Sequence, residues 1–297
     1  MKKVDDIRKV PTGTKIKEYF ELIKFEHTIF ALPFALSGML LASETGFPSI
    51  KTFILVLIAM IGGRTGAMAL NRLIDADIDK KNPRTADRAI PAGRIKKISA
   101  LILALIAFAV MTAAVWQLPL ICRQLLPLAI LILVAYSFTK RFTHLSHFVL
   151  GGALGAAAGG GWLAVSGEFS LSVVLWGFAV VFWVAGFDII YALQDIDFDR
   201  ENKLFSIPVL LGTEKSLLAA KILHIFTVIL LAALGLIHPA GIFYFIGTVF
   251  VACMLVYEHS LLKKDDLSKI DAAFFNVNGY VSIGIFMFIL IDKFFKI

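Results

Sequence analysis

Three aspartates fall within five residues twice in this chain: Asp75, Asp77 and Asp79 in "NRLIDADID", and Asp195, Asp197 and Asp199 in "YALQDIDFD". Each cluster follows a long apolar run. On a helix at about 100° per residue, positions four apart drift by only about 40°, while positions two apart lie about 200° round. Continuing the helix through each cluster puts Asn71, Asp75 and Asp79 on one face. Asp188, Tyr191, Asp195 and Asp199 share another, and Asp77 and Asp197 turn out to solvent. Carboxylates stacked in this way repel and call for a cation. Magnesium suits them, because it prefers oxygen, keeps several waters and combines one or two carboxylates with substrate phosphates. Two such faces meeting at one end of a helical bundle would hold Mg2+ bridging a diphosphate. Arg84, Arg88, Lys140 and Arg141 would take the remaining phosphate charge. A solvated loop start explains one such cluster more readily than two of matching spacing.

The elements that must carry these faces are membrane helices. Of 297 residues, 59% are apolar and only 17% charged, and the mean hydropathy is +0.83. Soluble domains carry about 25% charged residues. Apolar runs long enough for a bilayer core, roughly 20 helical residues, recur along the chain. We read nine spans: 25–43, 52–74, 98–116, 119–138, 147–166, 171–194, 216–236, 239–258 and 274–292. The join "WQLPLICRQLLP" between the third and fourth is short and itself apolar. With the amino terminus inside, nearly all loop Lys and Arg fall on the inner side, leaving Lys51, Arg123, Lys293 and Lys296 outside. The positive-inside rule then makes residues 1–24 a cytoplasmic segment and puts both clusters at the cytoplasmic face. The net charge of +7 reads as topology and contact with anionic lipid, not nucleic-acid binding. Cys122 and Cys253 show no metal-ligand or disulfide spacing, and His144 and His147 read as surface histidines.

These residues resemble a family. The pattern Asn71-x-x-x-Asp75-x-x-x-Asp79, the loop "NPRTADRAIPAG", and the stretches "YSFTKRFTHL" and "DIIYALQDIDFD" are similar to the UbiA superfamily of membrane prenyltransferases, nearest its 4-hydroxybenzoate polyprenyltransferases. The resemblance runs from "IKFEHTIFALPFALSG" to "FFNVNGYVSIG". It implies one all-α membrane domain over 1–297, nine helices around a central cavity. It further implies an enzyme of the inner (plasma) membrane with its active site facing the cytoplasm. Its partners would be a polyprenyl diphosphate, a phenolic acid and membrane lipid, with no obligatory protein partner.

By that resemblance Asn71, Asp75 and Asp79 form a first Mg2+–diphosphate motif, and Asp195 and Asp199 a second. Arg88 and Lys140 fall at diphosphate contacts, Arg64 at a cavity arginine, and Lys24 at a basic position before the first span. The implied chemistry is Mg2+-dependent ionisation of the allylic diphosphate and attack on a ring carbon ortho to a phenolic hydroxyl. Arg64 would hold the aromatic acid's carboxylate, and Asp188 or Tyr191 would orient the phenol or accept a proton. One departure stands out: the family usually reads Asn-Asp where this chain has Asn71-Arg72. Position 72 lies about 100° round from 71, so the missing carboxylate is read as lying outside the metal's ligands. The extra positive charge keeps a hydroxynaphthoate acceptor, serving menaquinone, beside 4-hydroxybenzoate, serving ubiquinone.

Other classes fit less well. A soluble isoprenyl synthase opens its motif with adjacent aspartates, and a CDP-alcohol phosphotransferase places Asp-Gly-x-x-Ala-Arg ahead of its own; neither pattern is present. A divalent-cation transporter gathers its ligands near the bilayer midplane, whereas these aspartates close their spans amid Arg and Lys. The run "GGALGAAAGGG" (151–161) suits close helix packing more than a wall cleared for an isoprenoid tail.

Overall fold

The structure is a computed structural model that describes residues 12–23, 28–44, 46–263 and 266–295. Its elements are helical: α1 (Thr12–Ile23), α2 (Thr28–Ala42), α3 (Ile50–Ile74), α4 (Ala76–Asp79), α5 (Lys97–Val115), α6 (Leu120–Thr139), α7 (Ser146–Ser166) and α8 (Leu171–Ala192). A 3-10 turn (Leu193–Asp195) leads into α9 (Ile196–Glu201), followed by α10 (Ile207–Ile237) and α11 (Ile242–Ser260). A π-helical turn (Ala272–Val277) opens the last helix, α12 (Asn278–Phe294). Among the described residues, eight helical segments are long and apolar enough to cross a bilayer. The first expected span, 25–43, is described as α2 with 15 residues, and residues 24–27 lie outside the described set.

Helix ends follow local chemistry. The side chains of Ser49, Ser170 and Ser206 accept from the backbone N–H groups of Thr52, Val173 and Val209, capping α3, α8 and α10. Gly167 (φ 69°) ends α7 in the left-handed conformation, its N–H donating to Leu163 O at 2.9 Å. Gly212 (φ 75°, ψ 173°) breaks α10, which is why the apolar run expected from 216 begins after a kink.

The helices are apolar all round because one face meets the core and the other meets lipid. Leu105, Leu131, Ile225 and Val256 point outward, while Phe34, Trp176, Trp183 and Leu234 fill the interior. The most buried span, α8, packs between α7 and α10, and α2 joins α7 to α12. Small residues permit the closest approaches. A Cβ on Gly151 would stand 2.5 Å from Val181 O on α8, and one on Gly161 would stand 2.3 Å from Ala35 O on α2. A Cβ on Gly160, between them in sequence, would meet nothing within 4 Å. The run 151–161 therefore divides its labour by position: Gly155 and Gly161 border a cavity yet press on a neighbouring backbone, whereas Gly160 borders it with open space.

At the opposite end from the aspartates, buried Asp292 of α12 caps α11. Its carboxylate accepts from Gly241 N–H at 2.8 Å and Tyr244 N–H at 3.1 Å. Asp292→Ala is expected to cost about 1–3 kcal/mol, since it leaves two buried donors unpaired. Thermal unfolding in detergent reads this as a lower Tm with unchanged activity per folded molecule.

Candidate active site

α3 delivers the first face. Asp75 N–H donates to Asn71 O at 2.9 Å and Asp79 N–H to Asp75 O at 2.7 Å, so helical register survives the bend between α3 and α4. Asn71 Nδ2 donates to Asp75 Oδ2 at 2.8 Å, and Asp79 is buried. Asp77 turns away as expected, 85% exposed and paired with Lys97 at 2.9 Å. Arg72 sits three and seven residues before Asp75 and Asp79, spacings that share a helix face. It is buried, within electrostatic range of Asp79, Asp75 and Arg88.

The second face comes from the end of α8, where the 3-10 turn hands the chain to α9. Asp195 and Asp199 are both buried, while Asp197 is 85% exposed and lies 3.4 Å from Arg200. The loop between α4 and α5 reaches across to this face. Asn82 Nδ2 and Arg84 Nε donate to Asp195 Oδ1 at 3.0 and 2.9 Å, and Arg84 Nη2 grips Oδ2. Arg84 Nη1 also donates to the Tyr191 hydroxyl at 3.2 Å, and that ring stacks on Phe274 at 4.1 Å.

Each of the four carboxylates expected to hold metal carries one basic partner. Arg141 pairs with Asp75 at 3.0 Å, Arg88 with Asp79 at 2.6 Å, Arg84 with Asp195, and Lys140 with Asp199 at 3.5 Å. Arg141 also donates to the carbonyls of Ser137 and Ile74, which clamps it in place. Burial pushes the Asp75 carboxyl above its ordinary pKa, with the Arg141 guanidinium opposing. Like charges from two faces are thus balanced by cations from the loops and from the end of α6.

The residues fit a hard divalent cation. Asp79 Oδ2 is a buried oxygen without a hydrogen-bond partner, and buried Asp199 Oδ2 is met by Lys140 Nζ at 3.5 Å; an unanswered buried acceptor such as Asp79 Oδ2 asks for a ligand. Among the described residues no three acidic, His or Cys side chains converge to cage a metal alone. That is the arrangement Mg2+ tolerates, because its remaining positions go to water and phosphate.

Farther along α3 and α8 from the clusters, beginning at Met68 and Val181, lies a cavity of about 520 Å³ formed by residues of α3, α5, α6, α7 and α8. Its lining is almost wholly apolar, with Arg64 and Tyr136 as polar exceptions and Gly160 and Ala156 among the small residues. Tyr136 was missed in the sequence. It interacts electrostatically with Asp188 and Asp75; it opens the stretch "YSFTKRFTHL", but nothing there singled it out among the aromatics of its span. His147 corrects another expectation. It is fully buried rather than a surface residue, and its Nδ1 lies 2.7 Å from Asp188 Oδ2. His144 is half-buried, bonded through Nδ1 to Ser206 O at 2.9 Å. Lys24 lies outside the described residues. Asn278 bridges Trp183 and Glu258, an amide joining helices, while Asn276 is exposed.

Comparison with known proteins agrees with this architecture. The model of the UbiA prenyltransferase family matches residues 31–280. The 4-hydroxybenzoate octaprenyltransferase of Marinobacter nauticus is 27% identical over 286 residues, 94% of this chain and 95% of its own length. The apo structure of a UbiA homologue from Aeropyrum pernix superposes with a TM-score of 0.82 at 36% identity, covering 90% of this chain and 98% of that one. A homologue from Archaeoglobus fulgidus bound to GPP and Mg2+ shares the fold, with a TM-score of 0.74 at 19% identity over 92% of this chain and 99% of that one. With the same helical bundle and a family match across most of its length, this chain belongs to the UbiA prenyltransferase family, whose members are membrane enzymes of prenyl transfer.

Proposed function

We propose that the protein transfers a polyprenyl group from a polyprenyl diphosphate to a ring carbon of a phenolic acid, 4-hydroxybenzoate, in ubiquinone biosynthesis, with Mg2+ as cofactor. The observation that carries this reading is the meeting of two buried carboxylate faces with four basic side chains, at the ends of two helices, α3 and α8, whose deeper residues line an apolar cavity. The relatives that are 4-hydroxybenzoate octaprenyltransferases and the homologue bound to GPP and Mg2+ support the acceptor and the prenyl diphosphate. The lysine and arginine distribution supports a cytoplasmic site and amino terminus in the inner membrane.

Asp75, Asp79, Asp195 and Asp199 would hold the metal, and Asp79 Oδ2 is a buried acceptor without a hydrogen bond. Bound Mg2+ supplies neutralisation of the pyrophosphate as its C–O bond breaks. Arg88, Lys140, Arg141 and Arg84 exchange their carboxylate partners for phosphate oxygens, so that positive charge meets the leaving group where it develops. Asn71 keeps Asp75 oriented. The apolar cavity shields the allylic cation from water, and Arg64 receives the acceptor's carboxylate, a bidentate task suited to a guanidinium. Tyr191, tied to Arg84 through its hydroxyl, orients the phenol end, and Asp188 takes the ring proton.

A second acceptor is kept open by one observation. Buried Arg72 adds a positive charge beside Asp79 and Arg88, and the same chemistry on a hydroxynaphthoate would serve menaquinone biosynthesis. Isolated membranes given Mg2+, a polyprenyl diphosphate and either labelled 4-hydroxybenzoate or labelled dihydroxynaphthoate decide between them. Product from 4-hydroxybenzoate, lost on chelation of the metal, is expected. Product from naphthoate alone transfers the assignment to menaquinone, and none from either sinks both.

A further inference from the structure

We infer that His147 is a positioning residue that presents Asp188 to the acceptor ring as a charged proton acceptor; this rests on the prenyl-transfer reading above. The geometry settles the histidine's tautomer. Its Nε2 receives the backbone N–H of Ile207 at 3.3 Å, and an N–H only donates. The ring proton therefore sits on Nδ1 and is donated to Asp188 Oδ2 at 2.7 Å. One fully buried imidazole thus joins the start of α7 to α8 and to the start of α10.

The contrast with the other carboxylates carries the argument. Asp75, Asp79, Asp195 and Asp199 each face an arginine or lysine. Asp188 is held by a neutral donor, which fixes its orientation and leaves its charge in place. Its second oxygen receives no hydrogen bond among the described residues. Asp188 also interacts electrostatically with Tyr136, on the cavity wall, and with Lys140, beside Asp199. It therefore stands between the diphosphate end and the acceptor cavity. Once the prenyl carbon has bonded to the ring and pyrophosphate has left, the ring C–H breaks. Its electron pair restores aromaticity and its proton passes to Asp188 Oδ1. An acceptor that swung away, or that paired with a cation, would be a weaker base.

Asparagine and glutamine separate this role from a structural tether. An Asn amide N–H falls near the position of Nδ1 and restores the bond to Asp188, whereas a Gln amide reaches the position of Nε2 and restores the bond to Ile207. Steady-state kinetics of His147→Asn, His147→Gln and His147→Leu would be measured with both substrates varied, alongside thermal melting of each purified variant. His147→Asn is expected within about threefold of the parent kcat. His147→Gln and His147→Leu are expected to lose roughly a hundredfold in kcat, with KM for the prenyl diphosphate unchanged. The inference is overturned if Gln is active and Asn is not, if all three keep the parent kcat, or if all three lose activity in step with their melting temperatures. A parent that transfers no prenyl group sinks the functional reading itself, whereas an active parent with the Asn and Gln order reversed sinks this one alone.

Discussion

Asp195→Ala is expected to lower kcat/KM for prenyl transfer about a thousandfold, the scale for losing electrostatic stabilisation of a developing charge, and Asp75→Ala by a similar factor. Asp195 accepts from Asn82 and, at two points, from Arg84, so its removal takes away a proposed metal ligand and unhooks the loop after α4. Arg84 is then held only through Tyr191 and points its charge nowhere useful. Asp75 anchors Asn71 and Arg141 in the same way. Asp197→Ala is the control, since that side chain is 85% exposed and its loss is expected to change activity less than twofold. Radiolabelled product formed by membranes with equal protein content reads all three variants. An Asp195→Ala enzyme above one tenth of the parent rate would show that the second cluster is not part of the reacting site.

The second large effect concerns the glycine run, where neighbouring positions are expected to behave oppositely. Gly161→Val places a side chain 2.3 Å from the Ala35 carbonyl, and backbone against backbone has little room to yield. Overpacking of this kind costs about 1–3 kcal/mol, a fall in Tm of roughly 2–5 °C at this chain length, with poor recovery of folded protein. At Gly160 an added Cβ would meet nothing within 4 Å, and the residue lines the cavity. Gly160→Val is expected to melt with the parent and to shift the preferred donor toward shorter prenyl chains. The two readouts are melting in detergent and the lengths of prenyl diphosphate accepted. Equal melting temperatures for the two variants would contradict the packing account, and an unchanged donor range for Gly160→Val would move the isoprenoid tail elsewhere.

The site shows where sequence reasoning reaches. Asp77 and Asp197 were expected to face solvent and do so, because the angle between positions two apart is a property of one helix. The pairing of Asn71 with Asp75 is equally local. The partners of Asp195 were not legible, since Asn82 and Arg84 lie more than a hundred residues away in the chain. Nor was the burial of His147, whose "THLSH" context looks like an ordinary loop until α8 and α10 close over it. The partners of Tyr136 and Arg72 were not legible either, although Arg72 stood out as a departure from the family's Asn-Asp pattern. One is an unremarkable aromatic in a span, and the other is a basic residue whose side of the helix acquires meaning only when Asp79 and Arg88 stand beside it.

By itself, then, the sequence determined the solvent that this protein lives in, the helical character of its elements and the residue types that meet phosphate. Hydropathy over about 20 residues and a period of 3.6 depend only on near neighbours in the chain. Only the tertiary structure decided which cation answers each carboxylate, which glycines pack and which open a cavity, and which histidine serves an aspartate. Those outcomes turn on which helices stand side by side, and contacts between distant segments are set by how the whole set of surfaces fits together.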